Sequence, residues 1–220
     1  ESRLAAAEAA AVLACRDLRA LGAQLKRATA VATQPSTVLR AVRRHTDALR
    51  ATLSGDATAE AVLALVDERC GTATDAASDE LRGPLVAVLD ALVGGADAKT
   101  ELAAAEAAAA AACQDVWALG AQLARVADIA RRPGTTLGLA RRHTDALRAT
   151  LSGDATAQAA LASVDARCGT ATDAASVELR GRLVAALGVL ADGAEDVESR
   201  LAAAAAAAAC RDVGALGSQL

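Results

Sequence analysis

Several residue types are missing from this sequence or nearly so. It contains no Phe, Tyr, Met or Asn, a single Trp (Trp117), a single Ile (Ile129) and only two Lys. Without Asn, these residues offer no acceptor for N-linked glycosylation. Without Phe or Tyr, the core has to be built almost wholly from aliphatic side chains. The missing types have AT-rich codons, whereas Ala, Arg and Gly are abundant, so the composition is typical of a gene from a GC-rich genome.

Histidine and cysteine are too sparse and too widely spaced for a zinc site, because no two cysteines form a CxxC pair. His45 and Asp47 are two residues apart on a predicted helix, so they point in different directions and cannot act as a base and its orienting acid. The stretch GGADAKT at 94–100 ends like a phosphate-binding loop, but no glycine directly precedes Lys99. We therefore predict no catalytic residue, no metal and no cofactor, and we expect that the chain is not an enzyme.

Neither charge nor hydropathy indicates a nucleic-acid or membrane protein. The 23 Lys and Arg residues are interspersed with 27 Asp and Glu residues, for a net charge of −4. This balance argues against a nucleic-acid surface. The uncharged run at 201–210 is far shorter than the roughly 20 apolar residues that cross a bilayer. We expect no nucleic-acid partner and no membrane insertion of this segment.

The sequence repeats itself along its length. The stretch RRHTDALRATLSGDATA at 43–59 returns at 141–157, an offset of 141 − 43 = 98, and CGTATDAAS at 70–78 returns at 168–176. The opening at 4–25 returns loosely at 102–123 and again at 201–220. A period this long predicts a tandem array of small helical domains. We expect domains at 1–95, 96–194 and 195–220, the last being the first helix of a third copy in a longer array.

Apolar residues recur at helical spacing, and no segment alternates as a strand would. Predicted helices span about 2–33 and 37–53, and a third begins near Ala57. Pro35 is expected to end the first helix, and Asp56 is expected to cap the third. Whether the third helix continues through Gly71 or gives way to a fourth is open. The predicted fold class is all-α: an elongated tandem array of ~98-residue helical bundles with three or four helices each. The core stripe of the first helix contains Leu4, Ala11, Leu18 and Leu25.

Units of this length resemble spectrin-type repeats, but in layout only. Spectrin-type repeats have a Trp in the core of the first helix, whereas Trp117 aligns with Arg19 and Gly214 in the other copies. A position that accepts Trp, Arg and Gly is predicted to be exposed. Membership of that family does not follow.

The five cysteines, Cys15, Cys70, Cys113, Cys168 and Cys210, fall at two positions of the repeat. They are interpreted either as buried thiols that pack as small hydrophobes or as one disulfide in each unit, which would indicate an oxidising compartment. Straight helices place Cys15 and Cys70 roughly 20 Å out of level, beyond the Cα separation of about 7 Å that a disulfide allows. The pairing stays open, because either a break of the first helix at Gly22 or a link from Cys70 to Cys113 between units would restore contact.

The candidate contact residues are Arg43, Arg44, Trp117, Arg141 and Arg142, because Trp and Arg are residue types that dominate protein–protein hot spots.

Near-identical copies predict a structural segment, a shaft or spacer of a rod-like or filamentous protein. This segment is expected to contact further copies of its own repeat and other filament or surface proteins. The expected location is the cell surface or an appendage such as a ciliary hair; the alternative is cytoskeletal. The alternative function is a helical-repeat binding module, an adhesin or scaffold that docks partner proteins.

Overall fold

The computed structural model describes residues 2–193, 196–209 and 213. This part of the chain is helical and contains no strand, so the all-α prediction is confirmed. The helices are α1 (Ser2–Thr52), α2 (Ala57–Val93), α3 (Lys99–Ala112), α4 (Gln114–Thr150), α5 (Ala155–Asp192) and α6 (Val197–Ala207).

Helix α1 does not end at Pro35, and the predicted break there is wrong. The ring of Pro35 is buried on the same face as Val31, Val38 and Val42, spaced four, three and four residues apart. An interior proline costs about 3 kcal/mol because it removes one backbone hydrogen bond and crowds the preceding turn. The apolar contacts of this face offset that cost, so proline serves here as a core residue. Pro133 is likewise buried within α4.

The third predicted helix continues through Gly71, and α2 also passes Pro84. The first 95 residues therefore contain two long helices rather than three or four. The stretch 96–194 contains three, because α3 and α4 are interrupted only at Cys113. Glycine disfavours a helix by about 1 kcal/mol, which is less than the burial of flanking residues such as Val66 and Leu81 contributes.

The turns between the long helices follow the sequence prediction. Asp56 caps α2, and its Oδ1 accepts hydrogen bonds from the backbone N–H groups of Thr58 at 3.0 Å and Ala59 at 3.1 Å. Asp154 caps α5 in the same way. Gly55 has a φ of 81°, in the left-handed region that a residue with a Cβ rarely adopts.

The chain divides into two compact units, each made of segments distant in sequence. Unit 1 comprises 1–42 and 70–118, and unit 2 comprises 43–69 and 119–220. These units differ from the sequence periods 1–95 and 96–194, which stay a prediction about the repeat. The core of unit 1 joins α1, α2 and α3. Its buried members include Val31, Leu81, Val88, Leu102 and Ala105.

The second unit has its own core, to which α5 contributes buried residues from both of its halves. Helices α5 and α6 pack together, and Leu187, Leu190 and Leu201 are buried there. Val213 is buried with Ala140 and Cys168. Val213, which follows α6 in the chain, therefore also contributes an apolar side chain to this core.

The predicted core stripe of the first helix is exposed where the structure describes it in α1. Leu18 and Leu25 are 68% and 42% exposed, and Ala11 is exposed as well; the side chain of Leu4 lies outside the described residues. The counterparts in the second copy, among them Leu102, Ala109, Val116 and Leu123, are fully buried. The stripe is a core face only where other helices cover it.

Candidate functional site

An arginine–aspartate pair occurs at the same place in both copies, in the part of each that belongs to unit 2. Arg50 pairs with Asp67 through Nη2 and with Asp47 through Nη1. Arg148 likewise pairs with Asp165 at 2.5 Å and with Asp145 at 2.7 Å. Each arginine lies near the end of one long helix, α1 or α4. Its partner, Asp67 or Asp165, lies about ten residues into the next helix, so each pair joins two helices across the turn between them.

Asp165 is held in its ionised form by its neighbours. Thr144 Oγ1 donates to Asp165 Oδ1 at 2.8 Å, and Arg148 Nη2 donates to Oδ2. The Thr144 hydrogen bond and then the Arg148 hydrogen bond lower the pKa of Asp165, with the charge of Arg141 adding to the effect. Thr46, the counterpart of Thr144, is also buried, but its hydroxyl donates to the carbonyl of Arg43 at 3.0 Å.

Lowering the pH from about 5 to about 3 is expected to reduce the unfolding temperature, partly through Asp165. Because the folded-state pKa of Asp165 lies below the unfolded value of about 3.9, its contribution is present above that value. It is lost as the pH falls through the folded pKa. Asp165→Asn should therefore flatten the curve of unfolding temperature against pH, measured by circular dichroism.

The matched control is Asp145→Asn, because Asp145 also pairs with Arg148 but its side chain is 69% exposed. Solvent screens such a pair, so this change should leave the pH dependence almost intact. An equal flattening by both substitutions would contradict the special role of Asp165.

The described cysteines differ in exposure. Cys70, Cys113 and Cys168 are buried and Cys15 is exposed, and no disulfide joins any two of these four. Burial raises the pKa of the Cys113 thiol, which makes it a poor nucleophile because the thiolate is the reactive form. Cys210 lies outside the described residues. The one-disulfide-per-unit hypothesis thus stays a prediction, and the three buried thiols match the small-hydrophobe interpretation.

The predicted contact arginines and Trp117 lie on the surface. Arg43, Arg44, Arg141 and Arg142 are exposed in unit 2. Trp117 belongs to unit 1 and is 44% exposed, as its alignment with Arg19 and Gly214 predicted.

Trp117 lines a shallow groove of about 570 Å³ in unit 1. On the same groove, Arg27 makes a two-pronged pair with Glu106, with Nε to Oε1 at 3.0 Å and Nη2 to Oε2 at 2.9 Å. The other lining residues include Gln34 and Thr37. Sequence reasoning missed this groove, because it depends on bringing α1 beside α3 and the start of α4.

Sequence reasoning also missed the contacts that join one copy to the next within unit 2. Arg69 Nη1 donates to the carbonyl of Leu190 near the end of α5. Its guanidinium lies 3.3–3.4 Å from the place where a Cβ on Gly193 would stand. Arg125 pairs with Glu198, which raises the pKa of the arginine and lowers that of the carboxyl. The partners of these two contacts are 121 and 73 residues apart in the sequence, so no local pattern could have revealed either contact.

Within the described residues, no group of three or more His, Cys, Asp or Glu side chains could hold a metal ion. No helix in that part of the chain is both long enough and apolar enough to pass through a membrane. Comparison with protein-family models, curated proteins and solved structures found no match to the chain.

Proposed function

We propose that the chain is a structural segment, a shaft or spacer, of a long rod-like or filamentous protein, and that it is not an enzyme. The observation that carries this proposal is the recurrence of the same contacts 98 residues apart. The Asp56 cap recurs at Asp154, and the Arg50–Asp67 pair recurs at Arg148 and Asp165.

Recurrence extends to the buried polar positions. Thr74 Oγ1 donates to the carbonyl of Cys70 at 2.7 Å, and Thr172 Oγ1 donates to that of Cys168 at 2.8 Å. A one-off active site does not need such duplication, whereas an array in which each unit contacts its neighbours does.

Among the charges that recur, Arg50 and Arg148 pair with carboxylates of the same chain. The proposed partners are further copies of the repeat and other filament or surface proteins, and no nucleic acid is expected because acids and bases are interspersed.

We place this structural protein at the cell surface or in an extracellular appendage, with a cytoskeletal location as the alternative. Labelling the source cells with gold-conjugated antibody to this chain, followed by electron microscopy, tests both points. We expect gold particles in rows along fibres outside the cell, together with other filament proteins. Rows along intracellular filaments would move the protein to the cytoskeleton, and label scattered without any fibre would contradict a structural role.

The alternative is a helical-repeat binding module, and one observation favours it. The groove beside Trp117 combines an exposed indole with a charged pair, and Trp and Arg are the commonest hot-spot residues. The position is not repeated, because Arg19 and Gly214 replace Trp117 in the other copies. A docking site used along the array would be expected in every copy, so the structural role is preferred.

A further inference from the structure

One face of α1 is apolar and exposed, although the same face is buried in the next copy of the sequence. This face, here called the α1 face, consists of Cys15, Leu18, Leu21 and Leu25. All four residues are exposed. Adjacent exposed apolar side chains of this kind mark an interaction surface more often than single ones do.

The counterparts of the α1 face in the second copy lie 98 residues further on. They are Cys113, Val116, Leu119 and Leu123, and all are buried. The hexapeptide ALGAQL is identical at 20–25 and 118–123. Because this stretch is the same in both copies, the difference in burial at Leu21 and Leu25 comes from what packs against the helix and not from the helix itself.

Val213 shows what covers this face. It corresponds to Leu18 and Val116, and it is buried in a cluster with Ala140 and Cys168. Leu137 and Val164 pack against the same cluster. All four of these covering residues belong to α4 and α5, the helical hairpin that precedes α6 and Val213 in the chain.

Not every exposed apolar residue of α1 belongs to the α1 face. Val12 and Leu13 are exposed, but their counterparts Ala110 and Ala111 are exposed as well. A covering hairpin would therefore leave these two positions in solvent. This contrast gives a matched control, because Leu13 and Leu18 are both leucines on the same helix with exposures of 58% and 68%.

We infer that the α1 face is the docking surface for the helical hairpin of another copy of the 98-residue sequence, placed before Glu1 in the same polypeptide. The hairpin would present the residues that correspond to Leu137, Ala140, Val164 and Cys168, namely Leu39, Val42, Val66 and Cys70 of its own copy. This inference deepens the proposed function, on which it rests for the existence of a further copy.

Cys15 provides a natural probe of this docking, because its thiol is exposed in the 220-residue chain. The experiment compares this chain with an extended chain in which residues 1–98 are duplicated ahead of Glu1. Cys15→Ser in the duplicate leaves the original Cys15 as the reporter. The rate of maleimide labelling at Cys15 is followed by mass spectrometry of its peptide, and protection of Cys113 shows that the chain is folded.

In the extended chain, labelling of Cys15 is expected to slow by at least about tenfold, because reaction then requires local opening of the covered face. Leu18→Glu in the original copy should restore rapid labelling, whereas Leu13→Glu should not. Labelling of Cys15 as fast as in the 220-residue chain, with Cys113 protected, would overturn the inference. Antibody labelling of cells is independent of this result, so a failure of the proposed function would be recognised separately.

Discussion

Leu123→Ala is expected to lower the free energy of unfolding by about 2–5 kcal/mol. Leu123 is fully buried in α4. The substitution removes apolar surface that is withdrawn from water and leaves a cavity that the neighbouring helices fill only in part. Urea unfolding followed by circular dichroism measures the loss.

The control is Leu25→Ala, the same change at the end of the identical hexapeptide in the first copy. Leu25 is partly in solvent, so the substitution is expected to cost less than about 1 kcal/mol in dilute solution. The residue type and the five preceding residues are the same at the two positions, so tertiary burial is the main difference between them. Equal losses at Leu25 and Leu123 would show that the α1 face is covered in the 220-residue chain.

Pro84→Ala is expected to raise the free energy of unfolding by about 1–3 kcal/mol. Pro84 lies inside α2, where it cannot donate the backbone hydrogen bond to the carbonyl of Glu80, and Ala is the better helix former by about 3 kcal/mol. Part of the gain is offset because proline also restricts the unfolded chain, an effect of about 0.4–1 kcal/mol. Thermal and urea unfolding of the two proteins provide the comparison.

Two further variants sharpen the comparison at Pro84. Position 182, its counterpart, is an arginine that pairs with Glu178 at 2.8 Å, so Pro84→Arg should stabilise at least as much through a similar pair with Glu80. Pro35→Ala should gain less, since the Pro35 ring is buried between Val31 and Val38 and its contacts would be lost. A larger gain at Pro35 than at Pro84 would contradict this account.

The turns and the exposed tryptophan show how far local sequence reasoning reached. Asp56 and Asp154 were recognisable because an N-cap acts on N–H groups only two and three residues away. Trp117 was predicted to be exposed because the aligned positions hold Arg19 and Gly214. Both inferences depend on short-range chemistry or on direct comparison of copies.

The prolines show where local reasoning failed. Pro35 was expected to end a helix because the residue before a proline disfavours the helical region. A proline inside a helix costs about 3 kcal/mol, and the buried face formed with Val31 and Val38 offsets this cost. The spacing of these apolar residues on both sides of Pro35 was visible in the sequence, but its energetic weight depends on the partner helices.

The candidate sites also divide into those that the sequence could predict and those that it could not. The Arg50–Asp67 pair could be anticipated, since the two residues are close in sequence and opposite in charge. The groove at Trp117 and the contact between Arg69 and Leu190 could not, because their partners are many tens of residues away.

By itself, the sequence determined the helical fold class and the turns at Asp56 and Asp154, because helix propensity, capping and apolar spacing act over a few residues. It also determined the 98-residue period, because the copies can be compared directly. Only the tertiary structure decided that the long helices pass through Pro35 and Gly71 and that Leu25 is exposed while Leu123 is buried. Identical local sequences have identical propensities, so burial depends on which other helices pack against each one.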